Sequence, residues 1–341
     1  MRTPSWGLWA ALATVFFGTG LGLALAGRPR AALAWFGVIV IATCALVVTP
    51  WVAVGVLAIH FGSAIHAYLC ASRSEQLKFH WAVGAIAGGA LVAAVLIRAV
   101  VVEAFKIPSS AMYPTLQIGD HVFVDKLSPH WHAIERGEVI VFTYPCDHQR
   151  DYIKRVVAIG GDTVEVRCNV VYVNGKAVPS TLVAGECAYE DYDERDRSWF
   201  RRPCSRYTEV LDGHSYDTFH DPDRPQRDKR VATASEGDAR DFPALDRPAP
   251  SCKNTEDAIG QADQALGTLS ESKPIDLVCA PQLHFVVPGD DVFVLGDNRY
   301  NSNDSRVWGT VARSLVKGRL VGIWYSSGAH GTDWSRFGNV R

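Results

Sequence analysis

The sequence predicts a chain of two unlike parts: a membrane domain of four transmembrane α-helices over residues 1–104, then a mainly-β extracytoplasmic domain carrying a polar inserted subdomain. Three observations predict it. The first hundred or so residues are overwhelmingly apolar, whereas the rest of the 341-residue chain has ordinary globular composition. The apolar part divides into runs of about the 20 residues that a bilayer core requires. The polar part repeats short stretches in which apolar and polar residues alternate, the pattern of half-buried strands.

Trp6 to Ala26 supplies the first apolar run and ends at Gly27-Arg28-Pro29-Arg30. Ala31 to Ala71 is long enough for two more, with Thr49-Pro50 as the turn, and polar Ser72 to His80 separates a fourth run from Trp81 to Val102. Short loops that hold Lys and Arg stay in the cytoplasm. Arg28 and Arg30 therefore place the first loop there, and Arg73 and Lys78 the third. An even number of spans puts the N-terminus and everything after Val102 outside. Three further spans and no clear cleavage site argue against a cleaved signal peptide at the start. His60, His66 and Arg98 lie near helix ends without acidic partners in the membrane, so they read as tolerated polar groups rather than an ion pathway.

In the polar part, strands are expected at Gly119 to Lys126, Arg136 to Phe142, Asp151 to Ile159, Thr163 to Arg167, Val170 to Val173 and Asp291 to Leu295. Asn174-Gly175 is a strong hairpin signal. These strands assign the β domain to 105–180 and 281–341. Residues 181–280 between them are rich in Pro, Asp, Glu and Arg. They read either as a surface insertion or mobile loop or as a small β subdomain, with Tyr207 to Leu211 as one candidate strand. Six of the eight cysteines lie outside the apolar part. On an oxidising side they suit disulfides, and Cys187 with Cys204 is one pairing among several. Without CxxC pairs or HExxH, no metal site is expected. A net charge of −2 gives no electrostatic case for nucleic acid.

The stretch from Phe105 to Asp120, FKIPSSAMYPTLQIGD, joins the two parts. Prolines hold it extended, and small side chains leave backbone N–H groups open to a visitor. Pro108-Ser109-Ser110-Ala111-Met112-Tyr113-Pro114 resembles the nucleophile box of type I signal peptidases, membrane-anchored serine proteases with a Ser/Lys dyad. Where that family carries its nucleophilic serine, this chain has Ala111, whose methyl group cannot attack a carbonyl. Tyr152-Ile153-Lys154-Arg155-Val156 resembles the box of the general-base lysine. By pattern alone a strand lysine is a solvated charge, but burial can lower its pKa by several units and make it a base. Gly296-Asp297-Asn298-Arg299-Tyr300-Asn301-Ser302-Asn303-Asp304-Ser305-Arg306 resembles the last signature box, with Tyr300 where an aspartate is usual.

The resemblance implies roles position by position. Ala111 fills the nucleophile's place and Lys154 is the general base. Ser109 contributes to an oxyanion hole, Ser302 orients the lysine amine, and Asp304 and Arg306 support them. Phe105, Ile107, Pro108, Met112 and Ile153 match the apolar pockets for small residues of an Ala-x-Ala site. A shifted nucleophile at Ser110 would face away from Lys154 if the segment is extended. The implied partners are signal peptides of secretory preproteins, the lipid bilayer and the secretion machinery, with no cofactor. The implied location is the bacterial cytoplasmic membrane, multi-pass. The reading that fits best is a signal peptidase left inactive by a serine-to-alanine change at position 111. The alternatives are a natural pseudoprotease that binds signal peptides without cutting, and a polytopic transporter or sensor with an outer β domain.

Overall fold

The structure, a computed structural model, describes residues 6–48, 52–72, 81–230, 241–244, 249–255, 267–271 and 279–340. The expected Thr49-Pro50 turn and the loop with Arg73 and Lys78 lie outside them. The chain divides into two units, Met1–Glu103 and Ala104–Arg341.

In the first unit, α1 (Trp6–Phe17) and α2 (Leu21–Leu25) replace the single first span read from the sequence. Gly18 and Gly20 take φ of +130° and +91°, a backbone that stops a helix. The chain then folds back: the Gly22 N–H donates to Thr14 Oγ1 at 3.0 Å, and a Cβ on Gly22 would collide with the Ala10 carbonyl. There follow α3 (Pro29–Val48), α4 (Val52–Ala71) and α5 (Trp81–Leu96), the last running into a π-helical turn at Ile97–Val101. Among the described residues no helix is long and apolar enough to cross a membrane, so four spans are not supported. Two half-buried histidines of α4 tie it to its neighbours. Trp35 Nε1 donates to His66 Nδ1 at 3.0 Å, and Thr19 Oγ1 lies 2.7 Å from His60 Nδ1.

The second unit is β-rich. Its strands are β1 (Val102–Lys106), β2 (Asp120–Asp125), β3 (Val139–Thr143), β4 (Asp151–Ile159), β5 (Thr163–Arg167), β6 (Val170–Val173) and β7 (Lys176–Ala177). Then come β8 (Ser180–Asp193), β9 (Ser198–Leu211), β10 (His214–His220), β11 (Thr268–Glu271), β12 (Leu283–Val286), β13 (Val292–Leu295) and β14 (Val316–Gly328). One sheet runs β1-β2-β14-β3-β4-β13, and a second runs β11-β12-β5-β6-β7. β6 turns back through Asn174 and Gly175, both at positive φ, as the hairpin signal requires. The side chains of β4 are divided between separate cores. Val156 packs with Phe142, Val294 and Trp308, while Val157 and Ala158 pack with Phe285 and Phe293.

For the inserted segment, the first part takes the second of the two forms left open by the sequence, a small β subdomain. In residues 180–220, β8, β9 and β10 form a three-stranded antiparallel sheet, and the candidate strand Tyr207 to Leu211 is the end of β9. The alternation was hidden because β8 and β9 are largely exposed and polar on one face and irregular in register near Ala184.

Three disulfides hold this unit: Cys146–Cys252, Cys168–Cys279 and Cys187–Cys204, closing sequence separations of 106, 111 and 17 residues. The first two link turns at Cys146, after β3, and Cys168, between β5 and β6, to Cys252 and Cys279 in the stretch between β10 and β12. Loop-closure entropy makes the long links worth more than the short one, about 4–5 against about 3 kcal/mol. Replacing both Cys146 and Cys252 by Ala should therefore lower the unfolding free energy more than replacing Cys187 and Cys204. Chemical unfolding of the two variants side by side checks the order.

Candidate active site

Lys154 sits near the middle of β4, where alternation puts it on the face of Tyr152 and Val156. That face is covered, so the side chain is only 4% exposed. Its Nζ donates to the Ile153 carbonyl at 3.1 Å and lies 5.2 Å from the Tyr152 ring centre. Burial lowers the amine to about 8, against the pull of the Asp304 and Asp297 charges. At pH 7 roughly one molecule in ten then carries a neutral amine, far more than an ordinary lysine allows.

The segment before β2 brings Ala111 to the same region. Ser109 is extended and exposed, and Ser110–Met112 form one 3-10 turn. This corrects the expectation of an extended segment at Ser110. The residue is buried, and Asn301 Nδ2 donates to its hydroxyl at 2.9 Å. Ser110 is thus held in the structure by Asn301, which accounts for its side chain without any nucleophilic task.

The loop after β13 grips the turn. The Asn298 N–H donates to the Ala111 carbonyl at 3.1 Å and Asn298 Nδ2 donates to the Ser110 carbonyl at 3.0 Å. Gly296 permits the closest approach, since a Cβ there would collide with both Ser302 Oγ and the Ala111 carbonyl oxygen. Ser302 is therefore brought against residue 111 through a glycine. Its buried Oγ makes no hydrogen bond of good geometry, though it lies near enough to help hold the Asp304 carboxyl down.

Asp304 and Arg306 meet as the sequence suggests. The guanidinium donates twice, Nε to Oδ1 at 2.8 Å and Nη2 to Oδ2 at 2.9 Å. Asp304 also accepts the Gly296 N–H at 3.1 Å and caps the short helix Ser305–Trp308 through the Arg306 N–H. Burial would raise its carboxyl, but the Arg306 charge and these donors hold it below the usual range. A second buried pair, Arg155 to Asp297, is bidentate at 2.7 and 2.6 Å. Thr115 adds a short bond to Asp297.

Of the five apolar residues singled out, Ile107 and Met112 are buried in one cluster, and Phe105 and Ile153 pack against it, half-buried. Pro108 is exposed beside them. β3 pairs with β4 from Asp151 to Arg155, whereas β13 pairs only with Arg155 to Ile159. One edge of Asp151–Lys154 is thus unpaired with any strand among the described residues, next to the Ala111 turn's apolar cluster.

The inserted sheet also reaches the site, which the sequence reading missed. Tyr113 stacks against Tyr189 and Phe219, and its hydroxyl donates to the Glu190 carbonyl at 2.9 Å. Asp191 accepts from Asn301 Nδ2 at 3.1 Å, and Glu209 accepts twice from Arg299. No local pattern marks these residues, because their partners lie about a hundred positions away.

The site is thus a buried amine on a mainly-β unit beside a dense polar loop. The family model described as signal peptidase, peptidase S26, matches residues 80–325, and the chain belongs to that family. Signal peptidase I of Aquifex aeolicus (strain VF5) is 33% identical over 227 residues, which cover 66% of this chain and 76% of that protein. Signal peptidase I of Buchnera aphidicola subsp. Acyrthosiphon pisum is 25% identical over 246 residues, covering 68% and 71%. A solved signal peptidase I from Enterococcus faecalis V583 aligns at 18% identity and TM-score 0.24, covering 56% of this chain and 98% of that one.

Burying Lys154 has a measurable cost. Below about pH 8 folded and unfolded chains both hold the proton, and the full penalty of about 3 kcal/mol stands. Between about 8 and 10.5 the unfolded chain binds more protons, so stability rises with pH; above that the penalty is gone. Lys154→Met should stabilise the chain at pH 7, and its advantage should shrink by pH 10. Thermal unfolding in detergent at the two values reads the difference.

Proposed function

We propose that this chain is a membrane-associated signal peptidase of the Ser/Lys type in an inactive serine-to-alanine form, its nucleophile position filled by Ala111. The observation that carries this reading is Lys154: a buried amine, lowered by its surroundings, beside a loop that holds residue 111 by its carbonyl.

With a serine at 111, neutral Lys154 would take the hydroxyl proton as the oxygen attacks the scissile carbonyl, then return it to the leaving amine. Ser302, its hydroxyl beside the Asp304 carboxyl, would orient the amine. The Ser109 hydroxyl and the backbone N–H of residue 111 would receive the oxyanion, each such donor being worth about 3–4 kcal/mol. The substrate would lie extended along the unpaired edge of Asp151–Lys154, adding a strand. The cluster of Phe105, Ile107, Met112 and Ile153 with Pro108 would then take the small side chains one and three before the cut.

Membrane association has its own support. Trp9, Ile41, Leu57, Ile65, Leu69 and Leu91 on the helices of the first unit are exposed. In the second unit Phe123, Trp324, Trp334 and Phe337 are exposed too, with Phe123 stacked on Trp324. Large exposed apolar surface calls for a cover, and aromatic rings favour the bilayer interface. The catalytic unit would face the extracytoplasmic side, where three disulfides can persist.

Ala111 itself favours a second reading, a natural pseudoprotease that presents signal peptides. The experiment is cleavage of a preprotein with an Ala-x-Ala site, by the chain and by its Ala111→Ser version in detergent. Cleavage by the serine version alone, rising with an apparent pKa near 8 and abolished by Lys154→Ala, supports the proposal. Binding by both with cleavage by neither turns the reading to the pseudoprotease.

A further inference from the structure

The loop that carries Ser302 is not held by the β domain's two main sheets alone. Arg299, at its centre, is buried, and each of its three guanidinium nitrogens donates a hydrogen bond. Nη1 and Nη2 donate to the two carboxylate oxygens of Glu209 at 2.9 and 2.6 Å, and Nε donates to the Gly296 carbonyl at 3.1 Å. Glu209 lies on β9 of the inserted sheet and is itself only 2% exposed. The neighbouring strand repeats the attachment along the backbone: the Phe219 N–H donates to the Asp297 carbonyl, and the Arg299 N–H donates to the Phe219 carbonyl.

The consequence follows from geometry. Gly296 is the residue against which Ser302 Oγ and the Ala111 carbonyl are both packed, and Arg299 holds its carbonyl. Arg299 in turn offers its own carbonyl to Arg306 Nη2 at 3.0 Å, so the same residue links to the Asp304 pair. Anything that fixes the Arg299 guanidinium therefore fixes the spacing of position 111, Ser302 and Asp304. From this we infer that Glu209, in the inserted sheet, is a positioning residue for the active-site loop. The inference rests on the active-site reading above and extends it to the insertion, which becomes part of the catalytic framework.

Burial would push the Glu209 carboxyl up, but the Arg299 charge holds it down to about 2, so the pair stays ionised throughout the working range. Tyr216, Thr218 and His220 surround the same carboxylate. His220 is kept neutral by burial, lowered to about 3, and so adds no second cation. Removing one partner of a buried pair leaves the other charge uncompensated, whereas replacing both by apolar groups is commonly tolerated.

The test is made on the chain with Ala111, titrating Lys154 by NMR of its side chain. Glu209→Gln should loosen the loop, admit water to the amine and move the Lys154 midpoint upward by at least about half a unit. Glu209→Asp, which keeps the charge, should restore most of the shift. If Glu209→Gln does not fold, the double change Glu209→Leu with Arg299→Met is read in its place, with the same upward shift expected. An unmoved Lys154 midpoint in a folded variant overturns the positioning role, because a merely structural pair would lower the melting temperature and leave that midpoint alone. In the Ala111→Ser background Glu209→Gln should lower kcat at least about tenfold with KM little changed. Failure of Ala111→Ser to cleave would sink the peptidase reading, while the Lys154 titration in the Ala111 chain would still decide the role of Glu209.

Discussion

Lys154 carries an amine into a place where an ammonium is poorly tolerated, and much of the polar structure around it can be understood from that constraint. The strand supplies one acceptor, the Ile153 carbonyl, and the neighbouring carboxylates Asp304 and Asp297 are each already matched by an arginine. Because Arg306 and Arg155 neutralise them, the carboxylates pull on the lysine proton only at a distance. Burial therefore wins, and the amine settles near 8 rather than above its ordinary value. Had either carboxylate been free to form a direct ion pair, the lysine would hold its proton more tightly.

The same economy explains the loop after β13. Its residues are in contact with three partners at once: the turn at Ser110–Met112, the strand β4 through Arg155, and the inserted sheet through Arg299 and Asn301. Buried donors and acceptors must be satisfied, so each of these ties restricts the others. A loop of this kind gains its shape from distant strands rather than from its own turn chemistry.

That difference decides what could be read in advance. The expected strands at Asp151 to Ile159, Thr163 to Arg167 and Val170 to Val173 are the observed β4, β5 and β6, because two-sided burial or clean alternation leaves a strong local pattern. Of the long β8 and β9 only the end of β9, Tyr207 to Leu211, was legible, since their exposed, charged face interrupts that pattern and pairing with each other is what makes them strands. In the apolar part, composition alone suggested one span from Trp6 to Ala26. It could not reveal that Gly18 and Gly20 would take positive φ and split it. Site residues adjacent in sequence to a signature, such as Asp304 and Arg306, were legible. Glu209 and Asp191 were not, because only tertiary pairing makes them part of the site.

The buried polar residues of the candidate site can be weighed one by one. Asp304 with Arg306, Asp297 with Arg155, and Glu209 with Arg299 are buried pairs, and losing one member strands a charge at a cost of about 3–5 kcal/mol. Folding stability retains them whether or not the chain cuts anything, so their presence says little about chemistry. Lys154 and Ser302 are different. The amine costs stability at neutral pH, and the Ser302 hydroxyl is buried with no good hydrogen bond to offset its desolvation. A methionine and an alanine would serve the fold better at both positions. Lys154 and Ser302 are thus buried polar groups that packing alone does not favour, and they lie together beside the turn that carries residue 111.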